Sequence, residues 1–142
     1  MSNPQAFDVI IPSDTGKGRE IQEQIIGSLE SFGYAPRDVF GVRLALEEAI
    51  VNAIKHGNRM DPDKSVHINW EVDDAHIKVV IEDQGVGFDV TDVPDPTDEE
   101  NLDKPGGRGI MLMRSFMSVV QYNGSGNILT MEKQRDEPEE ED

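Results

Sequence analysis

Residues 45–58 read ALEEAIVNAIKHGN, and the placement of this stretch decides the fold. On an α-helix Glu48, Asn52 and His56 recur every fourth residue and form one polar stripe, because positions i and i+4 share a face. Leu46, Ile50, Ala53 and Ile54 fall towards the other side and suit a core. A carboxylate and an amide one turn apart on so apolar a helix have two readings: a solvated surface, or a site. The flanking segments decide between them.

Working outward, APRDVFGVRL predicts that the same helix starts near Pro36, with Val39 and Val42 on the Leu46 side, and Gly57 ends it. Before it, SDTGKGREIQEQIIGSLESFG predicts a helix capped by Ser13 or Asp14, apolar at Ile21, Ile25 and Leu29, and stopped at Gly33. AFDVIIP alternates and is β-branched, a first strand ending at Pro12. Downstream, SVHINWEV and HIKVVIEDQG predict two strands joined through Asp73, Asp74 and Ala75. Between Gly85 and Gly109 the apolar period vanishes; a loop that long is functional or disordered, and it is expected to be mobile from Phe88 to Gly106. IMLMRSFMSVV then predicts a short helix whose Met111, Met113 and Met117 fill the core, and SVVQYN with GNILTMEKQ closes the domain as a hairpin. The order reads as α+β, with helices on one face of a mainly antiparallel sheet.

Composition narrows the function. A chain of 142 residues suits one domain with a sizeable core. The net charge of -16 argues against non-specific nucleic-acid binding, which needs a basic surface. It leaves room for one nucleotide held by a local cluster of donors. There is no cysteine, hence no disulfide and no thiolate metal site. The start, MSNPQAFDVIIPSD, lacks the pattern of a signal peptide, and no apolar run approaches a membrane span, so a cytoplasmic protein is expected. The ending RDEPEEED predicts a disordered acidic tail over 135–142 behind a single domain over 1–134.

Three separated elements bear on chemistry. The first is the Glu48/Asn52 stripe. The second is EDQGVGF, where Asp83 ends a strand and Gly85 and Gly87 follow. The third is KPGGRGI, where Gly106, Gly107 and Gly109 run into a helix, flanked by the cations Lys104 and Arg108. Each alone is weak: the stripe suits a solvated surface, and the two glycine motifs are often a mere turn or cap. Together they have a logic. Glycines at a helix N-terminus let an anion approach backbone N–H groups. The Asn52 amide oxygen is a hard ligand suited to Mg²⁺. A carboxylate at Asp83 accepts from an exocyclic amine such as that of adenine. Glu48 is placed to take a proton from an attacking hydroxyl.

The succession EEAIVNAIKHG, DQGVG and GGRG resembles the N, G1 and G2 boxes of the GHKL ATPases, which share the Bergerat ATP-binding fold with a lid between the last two boxes. Within that superfamily LALEEAIVNAIKHGN resembles the anti-sigma factor serine/threonine kinases of the RsbW type, over about residues 5 to 134. The resemblance implies a two-layer sandwich, ATP and Mg²⁺ as cofactors, Asn52 as metal ligand and Glu48 as general base. It implies Asp83 as adenine reader with Gly85 and Gly87 shaping the pocket, and Gly107, Arg108 and Gly109 at the phosphate end of the lid, which the cation Lys104 flanks. Thr130 stands where the family often places a hydroxyl near the adenine, although GSGNILT separates it from Gly126. Glu47 is the rival carboxylate, and His56 reads as structural.

Function by resemblance is phosphorylation of an anti-anti-sigma partner alternating with capture of a sigma factor, with a possible homodimer through the N-terminal strand. That strand could equally be buried in a monomer. A module that sequesters its partner without efficient phosphotransfer is the alternative. The ATPase domain of a sensor histidine kinase is the weaker third reading, for no dimerising helix with a phosphoacceptor histidine precedes the boxes.

Overall fold

The computed structural model describes residues 4–85, 113–123 and 127–135. The elements run β1 (Gln5–Pro12), α1 (Thr15–Ser31), α2 (Pro36–Val51), a π-helical turn (Asn52–Gly57), β2 (Ser65–Val72), β3 (His76–Glu82), a helical turn at 113–116, β4 (Val119–Tyr122) and β5 (Ile128–Gln134). The five strands form one sheet in the order β1-β2-β3-β5-β4, with every pairing antiparallel. Gly87, the stretch from Phe88 to Gly109 with Lys104, Gly106, Gly107 and Arg108, as well as Met111 and the tail beyond Arg135, lie outside the described residues.

Strand alternation sorts the side chains into two faces. Val66, Ile68 and Trp70 of β2, Ile77, Val79 and Ile81 of β3, and Leu129 and Met131 of β5 are buried under the helices. From above, Ile25, Ile26 and Leu29 of α1 and Val42, Leu46 and Ile50 of α2 close that core, and Met113 and Met117 fill its edge as their positions predict. The Trp70 indole N–H donates to Ser28 Oγ of α1 at 3.3 Å, so the largest core side chain also has its polar atom satisfied.

Local chemistry sets the boundaries. Asp14, not Ser13, caps α1, its carboxylate accepting from the N–H groups of Gly16 (2.7 Å) and Lys17 (3.1 Å). Past the helix end Gly33 takes φ 75°, a left-handed conformation that glycine adopts without strain. In α2 the buried Asp38 sits in the first turn and pairs with Lys133 of β5 at 3.7 Å, tying the helix start to the sheet.

Arg135 departs from the expectation that the tail begins there. Its backbone N–H donates to the Ala75 carbonyl at 2.8 Å, and its guanidinium donates to the carbonyls of Phe32 (3.1 Å), Gly33 (2.8 Å) and Asp74 (3.2 Å) over the Tyr34 ring. A helix end and a tight turn both leave carbonyls without partners, and one guanidinium supplies them. Among the described residues no helix is long and apolar enough to cross a membrane.

Candidate functional site

The opening segment is not one uniform α-helix. From Asn52 to Gly57 the backbone widens into a π-helical turn, with Asn58 N donating to Ala53 O, five residues back, at 2.9 Å. Glu48 and Asn52, in the α-helical part and at the start of the wider turn, are half-buried, while His56 is exposed. Glu47 is exposed as well. Two residues in the left-handed region follow, Arg59 (φ 55°) and Met60 (φ 59°), held by Met60 N donating to Ile54 O at 2.9 Å. A π turn beside strained backbone is costly structure, and such features gather at functional positions.

The widened turn delivers Gly57 onto Asp83. The last ladder partners of β3 and β5 are Glu82 and Ile128, and beyond them Asp83 N donates to Asn127 O at 3.0 Å. Alternation from Val79 and Ile81 aims Asp83 at the helix side, where its carboxylate lies flat against Gly57. A Cβ on Gly57 would overlap that carboxylate, with Oδ1 at 2.7 Å, and a Cβ on Gly85 would overlap the Gly57 carbonyl, 2.6 Å from its carbon. Oδ1 of Asp83 also accepts from the Gly85 N–H at 2.9 Å. Thus the end of the first box and the start of the second are in contact, although they lie far apart in the chain.

Burial raises the Asp83 carboxyl above the usual carboxylate range, the Glu82 charge adds to the rise, and the Gly85 N–H and the Lys64 charge oppose it. Tyr122 of β4 shares this face; burial first, and the Asp83 charge second, push its hydroxyl up to about 12 against the opposing pull of Arg114. For a carboxyl whose folded pKa lies above its unfolded one, the folded state holds the extra proton, so stability is lost as pH rises through that window. Asp83→Asn removes this burden at neutral pH and keeps an acceptor for Gly85. Its thermal unfolding midpoint is expected to exceed that of the wild type at pH 7, with the gap closing as pH falls, by calorimetry at several pH values.

Asn52 carries the other signal. Its amide nitrogen is buried with no hydrogen-bond partner among the described residues. A buried amide edge without a partner is costly and calls for a ligand. Turned one way the amide offers N–H to a phosphate oxygen; turned the other it offers oxygen to a hard cation. These residues fit a nucleotide accompanied by Mg²⁺.

Thr130 is not brought to this place. It pairs with Val80 and Gln121, and alternation puts all three on the sheet face away from the helices. The residue beside Asp83 on β5's side is Asn127, whose Nδ2 donates to the Asp83 carbonyl at 3.4 Å. Asn58 and Tyr122 gave no local sign, because their roles depend on partners from other elements.

Comparison with known proteins adds the family. The profile of the histidine kinase-like ATPase domain matches residues 11–133. The serine-protein kinase RsbW of Staphylococcus epidermidis is 31% identical over 140 residues, covering 93% of this chain and 88% of that protein. RsbW of Oceanobacillus iheyensis is 23% identical over 137 residues, covering 92% and 87%. Among solved structures, the RsbU and RsbW domains of a Mycobacterium tuberculosis protein superpose with a TM-score of 0.59 at 13% identity; the match covers 92% of this chain and 32% of that one. That likeness speaks for the fold.

Proposed function

On the premise that this chain belongs to the histidine kinase-like ATPase domain family, within which it is related to the RsbW serine-protein kinases, we propose that it is an ATP-binding anti-sigma regulatory kinase. The observation that supports the reading is the contact of Gly57, Asp83 and Gly85, which holds a half-buried carboxylate at the turn after β3, as the reading of an adenine amine requires. In this proposal Asp83 accepts a hydrogen bond from the purine amine. Asn52 would hold Mg²⁺, which would supply charge neutralisation at the phosphates.

Glu48, one turn before Asn52, faces the acceptor hydroxyl. A serine or threonine oxygen of the partner attacks the γ-phosphorus, the bond to the β–γ bridging oxygen breaks, and ADP leaves with that electron pair. The hydroxyl proton passes to the Glu48 carboxylate. Gly87, Lys104, Gly107, Arg108 and Gly109 belong to the same proposal as the remainder of the pocket. The acceptor is a small anti-anti-sigma protein, the alternate partner a sigma factor, and the setting the cytoplasm. Homodimerisation through the edge strand β1, whose Ile10 is 68% exposed, is part of the same proposal.

The test is titration calorimetry with ATP in the presence and absence of Mg²⁺. The wild type is expected to bind ATP more tightly with Mg²⁺, and Asn52→Ala to lose that difference. Asp83→Asn is expected to weaken ATP binding about tenfold or more, the worth of a hydrogen bond to a charged group. A folded wild type that binds no ATP with Mg²⁺ present rejects the proposal.

A further inference from the structure

Asn58 directly follows Gly57 and is 0% exposed. A fully buried amide must find partners, and this one joins three elements. Its Nδ2 donates to Ser13 Oγ at 3.0 Å, just past the end of β1, and to the Ser65 carbonyl at 2.9 Å, at the start of β2. Its Oδ1 accepts from the backbone N–H of Gln84 at 2.7 Å. Ser13 Oγ in turn donates to the Lys64 carbonyl at 2.8 Å, and Gln84 Oε1 accepts from the Ser65 N–H at 2.7 Å. The peptide between Asp83 and Gly85 is thus held on both sides, once by Asn58 and once through Ser65.

We infer that Asn58 is a positioning residue for base recognition, fixing the Asp83–Gln84–Gly85 turn so that the Asp83 carboxylate is aimed at an exocyclic purine amine. The inference rests on the reading of Asp83 given above. Asn58 touches no base itself; it acts through the Gln84 N–H. A network in which each member orients the next loses aim when one amide is removed, while the apolar core beside it stays in place.

The experiment compares ATP with purine riboside triphosphate, which lacks the 6-amino group, on wild type, Asn58→Ala, Asp83→Asn and the double variant. The wild type is expected to prefer ATP about tenfold, as one charge-assisted hydrogen bond allows. Asn58→Ala should lose most of that preference, and should cost little further in the Asp83→Asn background. Ser13→Ala, which loosens the same amide from its far side, should move the preference in the same direction by a smaller factor. It serves as the measurement should Asn58→Ala fail to fold. Equal weakening of both nucleotides by Asn58→Ala or Ser13→Ala, with the wild-type preference intact, overturns the positioning role and leaves the Asp83 reading standing. A wild type that binds both nucleotides equally removes the Asp83 reading and this inference with it.

Discussion

Glu48→Gln is expected to lower phosphate transfer to the protein partner by about 10²–10⁴-fold, the usual contribution of a general base. ATP affinity should stay near the wild-type value, because glutamine matches glutamate in size and Glu48 lies a full turn before the amide assigned to the metal. The measurement is single-turnover transfer from γ-labelled ATP, with calorimetry on the same samples to separate chemistry from binding. Glu47→Gln is the matched control: that carboxylate is exposed and off the Asn52 stripe, so its loss should be mild. Wild-type transfer by Glu48→Gln would take Glu48 out of the mechanism and leave the stripe to nucleotide and metal alone.

Gly85→Ala is expected to reduce ATP affinity by well over tenfold, the second large effect. The added methyl must displace backbone, since the Gly57 carbonyl carbon is 2.6 Å from where Cβ would stand. Forcing atoms into a packed place costs about 1–3 kcal/mol, and here the strain is released by moving either Gly57 or the Asp83 turn. Both movements break the contact on which base recognition depends. Gly27→Ala is the control for the general effect of adding a methyl: its Cβ meets nothing within 4 Å on the exposed side of α1. That change should stabilise the protein by about 0.5–1 kcal/mol through helix propensity and leave ATP binding alone. Thermal unfolding of each variant shows whether the affinity change belongs to the site. Gly85→Ala that folds and binds ATP as the wild type does would contradict the close packing of the two boxes.

Much of this was written in local pattern. The alternation of AFDVIIP, SVHINWEV and HIKVVIE, and the apolar period of Ile21, Ile25 and Leu29, determined which segments become strands and which become helices, since burial of one face is all those periods require. Gly33 and the aspartates at 73 and 74 marked the turns for equally local reasons. Glu48 with Asn52, Asp83 with Gly85, and the glycines of KPGGRGI pointed to nucleotide chemistry only in combination.

What local pattern could not decide was register and the third dimension. An α-period ran straight through residue 56, but the chain takes a wider turn from Asn52 to Gly57, and Gly57 meets Asp83, a partner from another element. Thr130 was suggested by the family resemblance, although its distance from Gly126 departs from the family's pattern. The β3–β5 register turned it to the far face and left Asn127 bonded to the Asp83 backbone, because a side chain's face depends on parity counted from the pairing. Arg135 belonged by composition to an acidic tail, yet the carbonyls at the end of α1 and in the β2–β3 turn claim its guanidinium. Asn58 is the clearest case. Nothing near it in the chain distinguishes it from a surface amide; only the meeting of the β1 end, the β2 start and the Gln84 peptide around it makes it buried and fully bonded, because a hydrogen bond is decided by where its partner is and not by which residue comes next.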